Sequence, residues 1–303
     1  MQIILNFVLV KNTNIKAHLA LFGANLIYGL NYSVAKDVMP EYIQPFGFIF
    51  LRVFGAALLF WFFHSLLSNE KVDSKDWPRI ALCGLFGVAM NQLLFFAGLN
   101  ITTPINAAII MTSNPILVII AASIILHEVI TRQKIIGLIL GVVGALLIIL
   151  FKSDFSFDAA TWPGDLMIFI NAASYGVYLV LVKPLMTKYQ PLTIIKLVFT
   201  FGLIYVLPFG FYDFMAIEWT TFTSIIWLET AFVVICTTFF AYLLNIFALK
   251  RLQPSTVSTY IYTQPVLASL FAIAMGKDEL SIVKIVGAIL IFTGVYIVSK
   301  RFS

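Results

Sequence analysis

Charge is what this sequence has least of. Only 11% of its 303 residues are Asp, Glu, Lys or Arg, while 61% are hydrophobic. A soluble protein carries about 25% charged residues. So few charges cannot cover a water-facing surface, which leaves bilayer lipid as the expected solvent. Cysteine is scarce as well. Cys83 and Cys236 are the two, both in apolar runs, so neither a disulfide framework nor a Cys-rich metal site is available. His127-Glu128 starts like a zincin motif, but Thr131 stands where the second histidine is needed. There is no Gly-x-x-x-x-Gly-Lys loop to cradle ATP and no nucleophile beside a base. No cofactor, metal, catalytic residue or enzyme activity is therefore expected. The net charge of +5 is spread along the chain, which argues against nucleic acid as a partner. The first residues are apolar but too short and too poor in early positive charge for a signal peptide. They read as a tail or interfacial segment, 1–16.

What is present is a series of ten apolar runs, near 17–34, 46–67, 77–99, 104–126, 135–151, 164–182, 192–212, 224–249, 254–275 and 282–299. A spanning helix needs roughly 20 apolar residues, and no connection is long enough for a soluble domain. Basic residues fall in alternate loops. With the N-terminus inside, Lys71, Lys75, Arg79, Arg132, Lys134, Lys183, Lys188, Lys250 and Arg251 share its side, and most acids face the other. This is the positive-inside pattern. The expected fold is an all-α integral membrane protein of ten transmembrane helices with both termini cytoplasmic, in the cytoplasmic membrane.

Two of the runs are interrupted. Ser113-Asn114-Pro115 and Thr263-Gln264-Pro265 each place an amide and a proline mid-run. Proline removes a backbone N–H and crowds the carbonyl four residues back, here those of Met111 and Ile261. In lipid, a freed carbonyl needs a protein partner or a wet cavity. The two prolines lie 150 residues apart (265 − 115), and the same offset relates Leu99/Leu249, Pro104/Pro254, Lys134/Lys284, Gly137/Gly287 and Gly144/Gly294. Nearer the start it is 147: Tyr28-Gly29 with Tyr175-Gly176. Each half holds five spans, an odd number, so the second half must enter the membrane upside down. Such inverted repeats are a common device of secondary transporters, with the site at the repeat interface near the midplane.

The stretch 97–144, AGLNITTPINAAIIMTSNPILVIIAASIILHEVITRQKIIGLILGVVG, and its twin 248–294 resemble the EamA repeat of the drug/metabolite transporter superfamily. The shared features are the central proline, the acidic residue after the span and the glycine-rich last helix. The resemblance covers nearly the whole chain as two repeats, 17–151 and 152–303. It implies ten helices, both ends inside, a central cavity built by both repeats, and mostly export of metabolites or amino acids.

The candidate substrate-binding residues are polar side chains inside the runs. Asn25, Tyr28 and Tyr32 share one face of the first helix, and Asn171, Tyr175 and Tyr178 repeat the pattern on the sixth. An intramembrane polar stripe faces the bundle interior or a cavity; the plainer reading is interhelical hydrogen bonding, worth about 0.6 kcal/mol per contact. Asn114 and Gln264 can hold a zwitterion, an amide or a hydroxyl, or simply cap their own broken backbone. Pro115 and Pro265 are then helix breaks for gating. Asn91 and Tyr260 are candidates of the same kind. Arg52 and Glu229 lie at similar depth and can pair with each other, attract a substrate carboxylate, or snorkel to the headgroups. Glu229 is also the one intramembrane carboxylate suited to proton coupling, although coupling by the substrate gradient alone fits equally. Gly137 and Gly141 form a close-packing pattern, within the bundle or in a homodimer. The expected partners are a small-molecule substrate and the bilayer. The leading reading is an exporter of small organic metabolites, amino acids or related solutes, working by alternating access. Import or exchange of sugars or nucleosides and multidrug efflux remain alternatives. A membrane enzyme or a non-transporting regulatory module fits less well.

Overall fold

The computed structural model describes the backbone of residues 2–102, 104–150, 161–274 and 281–299, and their side chains from residue 15 onward except at 32, 33, 35, 36, 104, 105, 272 and 274. No strand occurs among the described residues. The chain forms α1 (Gln2–Val38), α2 (Pro45–Leu67), α3 (Ser74–Ile101), α4 (Pro104–Met111 and Asn114–Leu126), α5 (Arg132–Leu150), α6 (Trp162–Lys188), α7 (Pro191–Met215), α8 (Ser224–Leu249), α9 (Pro254–Thr259, Tyr260–Tyr262 and Thr263–Ala274) and α10 (Ile282–Ser299). Among the described residues eight of these, α2 to α8 and α10, are long and apolar enough to cross a bilayer. The stretch expected to be a tail is the first part of α1.

Helix starts follow from the sequence. Gln44-Pro45 and Gln190-Pro191 open α2 and α7 with the glutamine extended and the proline at the first helical position. There the missing N–H is not needed and the fixed φ suits the helix.

Glycines show how the halves meet. A Cβ on Gly137 would lie 2.7 Å from the Gly294 carbonyl oxygen, and one on Gly294 2.5 Å from that of Gly137. Gly144 and Gly287 are related in the same way, at 2.6 and 2.9 Å. Gly137 is the repeat mate of Gly287, and Gly144 of Gly294. Each glycine therefore packs against the mate of the other, the signature of two antiparallel helices crossing on a two-fold axis. The pattern recurs in α1–α9 and α6–α4, where Gly29 abuts Leu267 and Gly176 abuts Val118. Gly137 and Gly144 of α5 thus pack inside the bundle against α10, while Gly141 faces the Tyr262 ring of α9.

Four connections meet at one end. Asp76, before α3, pairs with Lys188 at 3.0 Å and accepts from the Tyr189 hydroxyl at 2.8 Å. Lys183 donates to the carbonyls of Leu249 and Leu252 at 2.6 and 2.7 Å. Glu128, after α4, pairs with Lys134 at 2.5 Å and accepts from the Ser255 hydroxyl at the start of α9. These are the loops that carry the basic residues, gathered at one end of the bundle as alternate connections require.

Both π-helical segments were invisible in the sequence. Leu85–Met90 in α3 and Val233–Phe240 in α8 end 150 residues apart (240 − 90). Single π turns inside α-helices cluster at functional sites.

Candidate functional site: a cavity at the repeat interface

The helix breaks define the depth of the site. In α4 the break falls just before the proline. Thr112 N–H bonds Ile109 O at 3.0 Å and Ser113 N–H bonds Ile110 O at 2.9 Å, a tightened turn. Pro115 then sits in the first turn of the next helical piece, where proline is tolerated. The carbonyl seen to take an outside partner is that of Thr112, not Met111 as expected. It accepts from the Tyr262 hydroxyl at 3.1 Å. Tyr262 is buried in the break of α9, 150 residues on, and its ring fills the space left by Gly141. Ser113 Oγ bonds Ile110 O at 2.7 Å, and its mate Thr263 Oγ1 bonds Tyr260 O at 2.6 Å.

The amides beside the prolines bridge the repeats. Asn114 Nδ2 donates to the carbonyl of Ala172 on α6 at 2.7 Å, and Gln264 Nε2 donates to Asn25 Oδ1 on α1 at 2.9 Å. The acceptors are themselves mates (172 − 25 = 147). One bond has thus been built twice, with a backbone acceptor in one copy and a side-chain acceptor in the other.

Beside these bonds lies a cavity of about 290 Å³. Of the residues picked out from sequence, Asn25, Tyr28, Arg52, Asn91, Tyr175 and Gln264 line it, together with Asn171. Four others do not. Asn114 is fully buried in its bond to α6. Tyr178 points into the bundle, its ring against Gly87. Tyr260 bonds the His18 ring at 2.8 Å, away from the cavity. Glu229 neither lines the cavity nor pairs with Arg52. The Tyr32 side chain lies outside the described residues. Pro265 borders a neighbouring apolar space of about 280 Å³ that shares Phe95, Leu99, Met111, Ile261 and Gln264 with the first.

Further lining residues escaped the sequence reading: Asn31, Gln92, Asn100, Thr237, Tyr242 and Asn245. Gln92 and Tyr242 are repeat mates (242 − 92 = 150), and that offset was the available signal. Gln92 Nε2 lies 3.5 Å from Tyr242 Oη, at the limit of hydrogen bonding. Asn245 Nδ2 is anchored to Ala241 O at 2.9 Å and reaches Tyr28 Oη at 3.4 Å. Asn171 Nδ2 donates to the carbonyl of Asn91, joining α6 to α3.

Arg52 carries the one full charge among the described residues of this lining. Its residue is only 6% exposed. Nε donates to Thr238 Oγ1 at 3.1 Å, and the guanidinium lies over the Phe96 ring at 5.6 Å and the Phe48 ring at 6.0 Å. Thr238 sits in the π segment of α8 and donates to Val233 O, five residues back, at 2.8 Å. The π turn therefore does local work. It turns the Thr238 hydroxyl so that it satisfies a carbonyl and orients the arginine.

An inverted pair of helical repeats enclosing a polar-lined cavity defines a membrane transporter architecture. A family model described as "EamA-like transporter family" matches residues 15–150 and 162–300, and the chain belongs to that family. It is a multi-pass integral membrane protein. It is 26% identical over 294 residues to an Archaeoglobus fulgidus protein described as "Uncharacterized transporter", covering 95% of this chain and 99% of that one. It is 22% identical over 235 residues to a Streptantibioticus cattleyicolor protein described as "Probable terminal-alkyne amino-acid exporter", covering 78% and 77%. A solved crystal structure at 18% identity shares the fold, with a TM-score of 0.76 over 93% of this chain and 95% of that chain.

Proposed function

We propose that the protein exports small organic metabolites, amino acids or related solutes, across the cytoplasmic membrane by alternating access. Ten spans with both ends cytoplasmic are part of this reading. The observation that carries it is the cavity itself, bounded by mated elements of both repeats and tied to the two helix breaks. Its lining runs from the mid-bundle residues Asn25 and Gln264 to Met39, Pro40 and Pro45 at the α1–α2 connection. The opposite end is closed by the Asp76–Lys188, Lys183–Leu249 and Glu128–Ser255 contacts. Positive-inside placement puts that closed, basic end in the cytoplasm, so this is the outward-open member of a pair of states. Exchange of roles between the mated halves supplies the inward-open one. The relative described as an amino-acid exporter favours export and the substrate class.

Purified protein in liposomes, assayed by counterflow against labelled amino acids, organic acids, sugars, nucleosides and cationic drugs, tests the reading. Saturable flux of an amino acid or organic acid is expected. Absence of flux for every class, with protein that is monodisperse and folded, would refute it.

A further inference from the structure

We infer that the cavity selects solutes of net negative charge, docking a carboxylate on the Nη groups of Arg52 and leaving no counter-charge for an ammonium. This rests on the transport reading and narrows its substrate class, from small organic metabolites in general to organic monoanions such as hydroxy or keto acids, ahead of zwitterionic amino acids.

A guanidinium has five N–H groups. One of them, on Nε, is taken by Thr238. The four on Nη have no protein acceptor among the described residues, and the side chain borders the cavity. A buried charge without hydrogen-bonded partners is costly, and a planar two-toothed acceptor such as a carboxylate matches the free edge. The Thr238 bond and the Phe48 and Phe96 rings fix the plane of the guanidinium, so the edge is held ready before the ligand arrives.

Among the described residues the lining contains no Asp, Glu, Lys or His. Arg52 is its only ionised side chain among them, and neither Glu229 nor Asp37 is part of it. An α-amino acid brings both charges. Its carboxylate would meet Arg52, while its ammonium would meet only amides, phenols and ring faces. A hydroxyl or keto oxygen at the same carbon is served by the donors already there, the amides of Asn25, Asn91 and Gln264 and the phenol of Tyr28. The apolar wall of Phe95, Leu99 and Met111, continuing into the neighbouring apolar space, suits a hydrocarbon or aromatic remainder.

Three probes of nearly equal shape separate the charge classes: 3-phenyllactate, phenylalanine and phenethylamine, carrying net charges of −1, 0 and +1. Their apparent affinities are measured by counterflow and by ligand-induced thermal shift on the same purified full-length protein. Phenyllactate is expected to bind about tenfold or more tighter than phenylalanine, the scale of enclosing one ammonium without a charged partner, with phenethylamine weakest. Arg52→Gln is expected to abolish the ratio between phenyllactate and phenylalanine. Arg52→Lys keeps the charge and should retain part of the ratio if the glutamine variant fails to fold. Thr238→Val frees the guanidinium plane and should reduce the ratio without reversing its order. Equal or tighter binding of phenylalanine or phenethylamine by the wild-type protein would overturn the inference and leave the transport reading intact. So would an unchanged ratio in folded Arg52→Gln. If none of the three probes is bound or moved, the inference fails; the transport reading fails with it only if the wider solute panel also shows no flux.

Discussion

Gly144→Ala adds one methyl group where the α5–α10 crossing has no room for it. The new Cβ would stand 2.6 Å from the Gly287 carbonyl oxygen, 2.9 Å from Ile291 Cγ1 and 3.0 Å from Leu290 Cβ. Carbon and oxygen need about 3.3 Å even for the closest weak contact, so the backbones must part by roughly 0.7 Å locally. Ile291 can rotate, but a helix carbonyl cannot. Overpacking of this kind costs about 1–3 kcal/mol. Gly287→Ala meets the same surface from the other side, 2.7 Å from Ile148 Cγ1 and 2.9 Å from the Gly144 carbonyl oxygen, and should cost a similar amount. The two changes relieve the same close approach, so they cannot add. Once one alanine has parted the helices, the second finds space, and the double variant should lose less than the sum, by about 0.5 kcal/mol or more. Equilibrium unfolding in mixed detergent micelles, followed by circular dichroism, reads all three values. Two singles within about 0.5 kcal/mol of wild type, or a double equal to the sum of larger singles, would refute a glycine-mediated crossing at this point.

Two further expectations concern the helix breaks. Tyr262→Phe removes the donor from the Thr112 carbonyl and should cost about 1–3 kcal/mol of stability by the same unfolding assay; no loss would mean that the carbonyl finds another partner. Asn114→Ala and Gln264→Ala should behave differently despite their repeat relation. The first deletes a buried bond to α6 and should lower stability by about 1 kcal/mol with substrate affinity little changed. The second alters a cavity wall and should change affinity with a smaller stability loss. Identical behaviour of the pair in both assays would contradict the placement.

Much of the fold was legible because lipid punishes exposed backbone and charge alike, so apolar runs, alternate basic loops and matched residues at one offset leave few solutions. The helical pieces of α4 and α9 restart at Asn114 and Thr263, each just ahead of a proline, for the same reason. The identity of the carbonyl that takes a partner was not legible, since it depends on where the turn tightens and on a tyrosine 150 residues away. Glu229 and Arg52 looked like partners because they share a depth; depth along a helix says nothing about which way a side chain faces. Asn114 and Gln264 looked equivalent, yet one residue is enclosed and the other borders open space.

The sequence by itself determined the solvent, the repeat, its inversion and the two interrupted helices, all properties of one-dimensional pattern set by burying backbone polar groups in a slab of hydrocarbon. Only the tertiary structure decided which polar residues meet. Two mated halves need not be identical in detail: in the cavity wall Gln92 meets its own mate, Tyr242, and the mate of Asn25 is Ala172. There the π turn of α8 brings Thr238 to Arg52, the tyrosines 28 and 242 converge, and the Arg52 guanidinium is left facing the space.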